Sequence, residues 1–119
     1  MADKPVVLVT RRLPAAVEDK LGETFTTLLN PDDRLYRTDE ILEMASEADA
    51  ILPCHTEKFN AQTIARLPSR VKAIANFSVG VDHVDLDAAR NKGVIVTNTP
   101  DVLSDATAEI AMLLMLGAA

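Results

Sequence analysis

Apolar and polar positions follow one another in blocks along this chain. Five short apolar runs, Pro5–Thr10, Thr24–Leu29, Ala50–Cys54, Val71–Phe77 and Val94–Asn98, predict β-strands. Most are continuous, as in Val6-Val7-Leu8-Val9 and Val94-Ile95-Val96, which suits a parallel sheet covered by helices on both faces. Between them, Pro14–Leu21 opens on a proline suited to a first helical turn, and Thr38–Ala48 starts with Thr-Asp-Glu and carries Ile41, Leu42, Ala45 and Ala48 on one side. Asn60 is expected to cap a short helix ending near Pro68. Asp85–Lys92 places acids first and Arg90 and Lys92 last, with Gly93 just beyond, the order the helix dipole favours.

Strands alternating with helices predict an α/β fold: a flavodoxin-like, doubly wound, parallel five-stranded sheet of order 2-1-3-4-5. Ligands of such sheets sit beyond the carboxyl ends of the strands, which here are Thr10-Arg11-Arg12, Cys54-His55-Thr56, Phe77–Asp82 and Thr97–Pro100. The chain has 119 residues, the size of one domain. No repeat or Pro/Gly/Ser linker suggests a second complete one. The organisation expected is a domain over residues 1–103, followed by a helix over residues 104–119.

That last helix reads as apolar on every side from Ile110. Ile110, Leu113, Leu114 and Gly117 share one face, and Met112, Met115 and Leu116 lie on another. One face is expected to pack on its own sheet and the other on a second chain, giving a homodimer through residues 104–119. A purely monomeric species in light scattering would contradict this. The run Ile110–Ala119 is about half of what a bilayer crossing needs, so no membrane segment is expected.

Twelve basic against eighteen acidic side chains give a net charge of -6, which repels a phosphate backbone, so nucleic acid is not an expected partner. A single cysteine and no signal-peptide pattern point to a cytoplasmic setting.

Chemistry is sparse. The four glycines, Gly22, Gly80, Gly93 and Gly117, are too far apart for a dinucleotide fingerprint or a P-loop. The first strand is followed by Arg11-Arg12-Leu13-Pro14, which suits neither an FMN loop nor a phospho-acceptor pair. His55 and His83 have no metal-ligand spacing around them, so no metal is expected. Cys54 reads as an inert strand-end thiol, with its neighbour His55 on the opposite face, and Glu109 as a dipole-favoured first-turn acid. The loop Ser78-Val79-Gly80-Val81-Asp82 is the sharpest feature. Gly80 would let the backbone turn with free N–H groups, and Asp82–Asp85 leads into a helix N-terminus, an arrangement that holds an anion. The alternative is an ordinary glycine-containing strand-to-helix turn, and these residues alone leave both open.

The run Asn76-Phe77-Ser78-Val79-Gly80-Val81-Asp82-His83-Val84-Asp85, followed by Gly93–Pro100 and Thr107-Ala108-Glu109-Ile110-Ala111, resembles the NAD(P)-dependent D-2-hydroxyacid dehydrogenases. The glyoxylate and hydroxypyruvate reductase branch is the most similar. The resemblance is close after Val71 and loose before it. It implies that Ser78, Val79 and Gly80 receive a substrate carboxylate, that His55 and Thr56 line the pocket, and that Thr107 lies near the cofactor. The family's glycine fingerprint, substrate-binding arginine and acid/base pair match nothing within these residues, and His83 does not match the catalytic histidine. No catalytic residue and no cofactor site of its own are therefore expected in this chain, with NAD(P) implied for a longer parent. Phosphoglycerate-specific members favour an arginine after the third strand, where His55-Thr56 stands, so a small unphosphorylated 2-oxo acid is the implied ligand, weakly bound. The expected function is that of a truncated substrate-binding domain, inactive alone. The alternatives are a self-associating flavodoxin-like module and a weak small-anion binding protein.

Overall fold

A computed structural model of the chain describes residues 4–99. The elements in order are β1 (Val6–Val9), α1 (Ala15–Thr24), β2 (Thr26–Leu28), α2 (Thr38–Met44), a 3-10 turn (Ala45–Glu47), β3 (Ala50–Leu52), α3 (Ala61–Ala65), β4 (Ala73–Ala75), α4 (Leu86–Lys92) and β5 (Ile95–Thr97). The strands form one parallel sheet of order β2-β1-β3-β4-β5, as the alternation predicts.

Register explains the core. Leu28, Leu8, Ile51, Ile74 and Val96 form one row across all five strands. Because strand side chains alternate, this row faces one way, onto Ile41 and Leu42 of α2, Ile64 of α3 and Ala89 of α4. Fully burying each large aliphatic side chain contributes about 1.5–3 kcal/mol, so this row is the main hydrophobic term holding the sheet to its helices. The neighbouring row, Thr27, Val7, Ala50, Ala73 and Ile95, faces the other way. There Val7 and Val9 are buried with Leu13 and packed by Val17 and Leu21 of α1, whereas Ile95 is 65% exposed. Helices thus lie on both faces, as expected: α2, α3 and α4 on the first, and on the second, among the described residues, α1 over the β1–β3 half.

Helix ends are set locally. Asn60 caps α3 as expected, its Oδ1 accepting from the Thr63 N–H at 2.9 Å. Asp85 is the N-cap of α4 rather than its first residue, accepting from the Ala88 N–H at 3.0 Å. Gly93 ends α4 at φ 79°, a left-handed position that glycine adopts without Cβ strain. The stretch read as one helix from Thr38 to Ala48 leaves the α form at Met44. Its N-cap is Arg37, whose N–H donates to Glu40 Oε1 at 3.1 Å. The tighter 3-10 turn that follows brings Ala45 and Ala48 into the core with no exposed surface.

No described helix is long and apolar enough to cross a membrane. The expected helix over residues 104–119, its dimer contact, Glu109 and Thr107 lie outside the described residues.

Candidate functional site

Two regions at the carboxyl ends of the strands carry the polar side chains. The first is a brace. Arg11, just past β1, donates from Nε to Asp33 Oδ1 at 2.8 Å and from Nη2 to Asp33 Oδ2 at 3.2 Å. Its Nη1 donates to Thr56 Oγ1 at 2.9 Å. Asp33 sits at φ 51°, unusual for a residue with a Cβ, and also accepts from the Arg12 N–H at 2.9 Å. The Arg11 guanidinium, with the Arg12 N–H behind it, lowers the Asp33 carboxyl to about 2. A carboxylate depressed in the folded state adds stability that is complete above its unfolded pKa, about 3.9, and is lost as pH falls toward 2. Asp33→Asn is expected to flatten that part of the acid-unfolding curve, read by circular dichroism, and to leave the curve above pH ~5 parallel to that of the parent.

The second region is a groove of about 370 Å³, lined by His55 and Lys58 on one side and by Phe77, Ser78, Val79, Gly80, Asp82 and His83 on the other. Its key element is the loop after β4. The Ser78 carbonyl accepts from the Thr99 N–H at 2.9 Å, and the Val79 carbonyl accepts from Asn98 Nδ2 at 2.8 Å. In a trans peptide the N–H points opposite to the C=O, and no described peptide is cis. Both carbonyls turn toward residues 98–99, so the N–H groups of Val79 and Gly80 turn away from them. Neither N–H finds an acceptor among the described residues. Two backbone donors pointing roughly the same way are a cradle for a carboxylate.

Ser78 lines the groove, but its hydroxyl donates to the Gly80 carbonyl at 2.8 Å and so braces the loop. Thr56 is not among the groove-lining residues, because its hydroxyl is turned to Arg11. His55 does line it. Lys58, which sequence reasoning passed over, adds a cation, and Asp82 a nearby carboxylate. The pattern His55-Thr56-Glu57-Lys58, one basic side chain three residues past the other in a post-strand turn, was the available signal for Lys58.

Gly80 does not take a left-handed conformation, since Gly93 is the one described glycine at positive φ. Among the described residues, a Cβ at Gly80 would meet no atom within 4 Å. The N-terminus of α4 is also not part of the cradle, because the Asp85 side chain closes it.

Cys54 is half-buried against the α1 side, and burial, reinforced by Glu57, raises its thiol pKa. This suits the inert reading. Beyond β3, which ends at Leu52, it lies in a turn rather than in the strand position assigned to it.

The described residues do not suit a dinucleotide. The turn between β1 and α1, where a pyrophosphate would need open backbone donors, has none to offer at two positions. The Arg12 N–H is held by Asp33, and the Leu13 N–H by Glu18 Oε2 at 3.2 Å.

Residues 7–113 match the family model described as "D-isomer specific 2-hydroxyacid dehydrogenase, catalytic domain". The glycerate dehydrogenase of Hyphomicrobium methylovorum is 40% identical over 98% of this chain, which corresponds to 36% of that protein. The glyoxylate reductase of Thermococcus gammatolerans is 37% identical over 98% of the chain and 34% of its own length. An NAD-binding protein from a Polaromonas species, of known structure, superposes with a TM-score of 0.86 at 41% identity. That match covers 97% of this chain and 36% of the other. The chain thus spans about a third of the length of the relatives it matches.

Proposed function

Since this chain belongs to the catalytic-domain family of the D-isomer specific 2-hydroxyacid dehydrogenases, we propose that its groove holds the carboxylate of a small 2-oxo acid of the glyoxylate type. The observation that carries the reading is the paired orientation of the Val79 and Gly80 N–H groups, both turned from residues 98–99 and both lacking a described acceptor. Lys58 and His55 add positive character to the facing wall, and Asp82 limits it, so the groove suits a single negative charge better than several.

The chain supplies binding and orientation. The dinucleotide site and the proton-transferring pair of a complete enzyme are no part of the residues described, and NAD(P) belongs to the reading of the longer parent. Each charge-assisted N–H bond contributes about 1.5–3 kcal/mol before the association cost of about 4 kcal/mol or more. Two such bonds leave at most about 2 kcal/mol, so a lone domain binds glyoxylate with a Kd of roughly 30 mM or weaker.

Titrating the ¹⁵N-labelled chain with glyoxylate, against chloride at equal ionic strength, tests this. The amide signals of Val79 and Gly80 should move together as glyoxylate rises through roughly tens of millimolar. Unmoved signals there, or larger shifts elsewhere on the domain, would remove the proposal. Micromolar affinity would show that the groove has donors beyond these two.

A further inference from the structure

One buried titratable side chain in the groove wall is left unused by carboxylate binding. His83 is 7% exposed, and its Nε2 lies 2.6 Å from Oδ1 of Asn76, itself 3% exposed. Asn76 ends the strand segment that enters the loop, and His83 follows the loop. The contact therefore spans the neck of residues 77–82.

The protonation pattern follows from the partners. Asn76 Nδ2 donates to the Thr97 carbonyl at 2.9 Å, and the Asn76 N–H donates to the same oxygen at 2.9 Å. A reversed amide would set two acceptors against each other there, so Oδ1 is the atom facing His83. Oδ1 only accepts, so Nε2 carries the hydrogen. The His83 carbonyl accepts from the Phe59 N–H at 2.7 Å, on the segment that follows His55 and Lys58. One continuous set of bonds thus runs from β5 through Asn76 and His83 to the opposite groove wall.

We infer that His83 is a positioning residue. Its Nε2–H, donated to Asn76, clasps the neck of the loop and sets the Val79 and Gly80 donors against the His55–Lys58 wall. The inference rests on the carboxylate reading for its consequence, and on the bond network alone for its structure. Charging the ring is opposed by burial first, then by Lys58 and His55, while Glu57 and Asp82 act the other way; the pKa is lowered. The clasp is therefore a neutral one.

The test uses the full ¹⁵N-labelled chain. Long-range ¹H–¹⁵N spectra from about pH 8 to 5.5 should show His83 as the Nε2–H tautomer, staying neutral below the ordinary histidine value of about 6.5. A Nδ1–H tautomer, or protonation at or above that ordinary value, would overturn the clasp. His83→Leu keeps bulk and loses the donor; His83→Gln keeps a donor. In His83→Leu the Thr99 amide, bonded to the Ser78 carbonyl, should exchange faster, and glyoxylate should bind about fivefold more weakly. His83→Gln should recover most of both, and it is the deciding variant if His83→Leu does not fold. Parent-like Thr99 exchange in His83→Leu, or no recovery in His83→Gln, would sink the inference. Failure of the carboxylate reading shows separately, as Val79 and Gly80 amides of the parent chain that ignore glyoxylate while the tautomer and the exchange pattern hold.

Discussion

Replacing Phe59 with alanine is expected to lower the melting temperature by about 15 °C or more. Phe59 is 1% exposed and heads the fully buried side chains by size. Its backbone is fixed on both sides: its N–H donates to the His83 carbonyl at 2.7 Å, and its carbonyl accepts from the Asp85 N–H at 2.8 Å. The bridge it forms with Val84 leaves the surroundings little freedom to collapse into the space vacated. Removing a buried aromatic ring costs about 3–5 kcal/mol, a large part of the ~5–15 kcal/mol that holds a domain together. Phe77 is the control. It is 42% exposed, and Phe77→Ala should shift the transition by only a few degrees. Thermal melts of the two variants side by side decide the matter, and equal shifts would show that the Phe59 site repacks.

Gly80→Ala should separate binding from stability. Among the described residues the added Cβ meets no atom within 4 Å, and the backbone is not left-handed, so the fold is expected to lose little in contacts or strain. Narrowing the unfolded chain's freedom adds about 0.4–1 kcal/mol of stability, which should show as a melting temperature equal to or a few degrees above the parent's. Gly80 lines the groove, so the added methyl group is expected to crowd the Gly80 N–H, where the carboxylate is proposed to sit. Glyoxylate affinity should fall at least about tenfold, a loss of about 1.4 kcal/mol, measured by the same amide titration. Unchanged affinity would place the carboxylate elsewhere, whereas a lowered melting temperature would show that the loop needs glycine for itself.

The contrast between Gly80 and Gly93 marks what the residues could and could not tell. Gly93 follows a basic helix end, so its left-handed turn was legible from order alone. At Gly80 the residue type suggested a backbone turn with free N–H groups, whereas the open space around it among the described residues is a property of the surroundings that no single residue carries. Strand order was legible because strands alternating with helices join through crossovers of one hand. The unequal helix cover of the two faces among the described residues was not, since it depends on which face each crossover takes. Asn60 announced its cap through a local contact three residues long. The Arg11–Asp33 brace spans 22 residues and the Asn76–Thr97 bond 21, distances at which pattern gives way to topology.

Among the described residues the sheet ends at both rims in strands of three residues, β2 and β5. A strand at a rim carries unpaired backbone groups on which another molecule can template itself, and the length of the rim limits how many such bonds can form before the chain twists away. Three residues on either side allow little more than a single repeat of pairing. Edge-to-edge growth into fibrils is therefore poorly supported by these two strands, and whatever association the exposed Ile95 drives should be relieved by a charged side chain placed there.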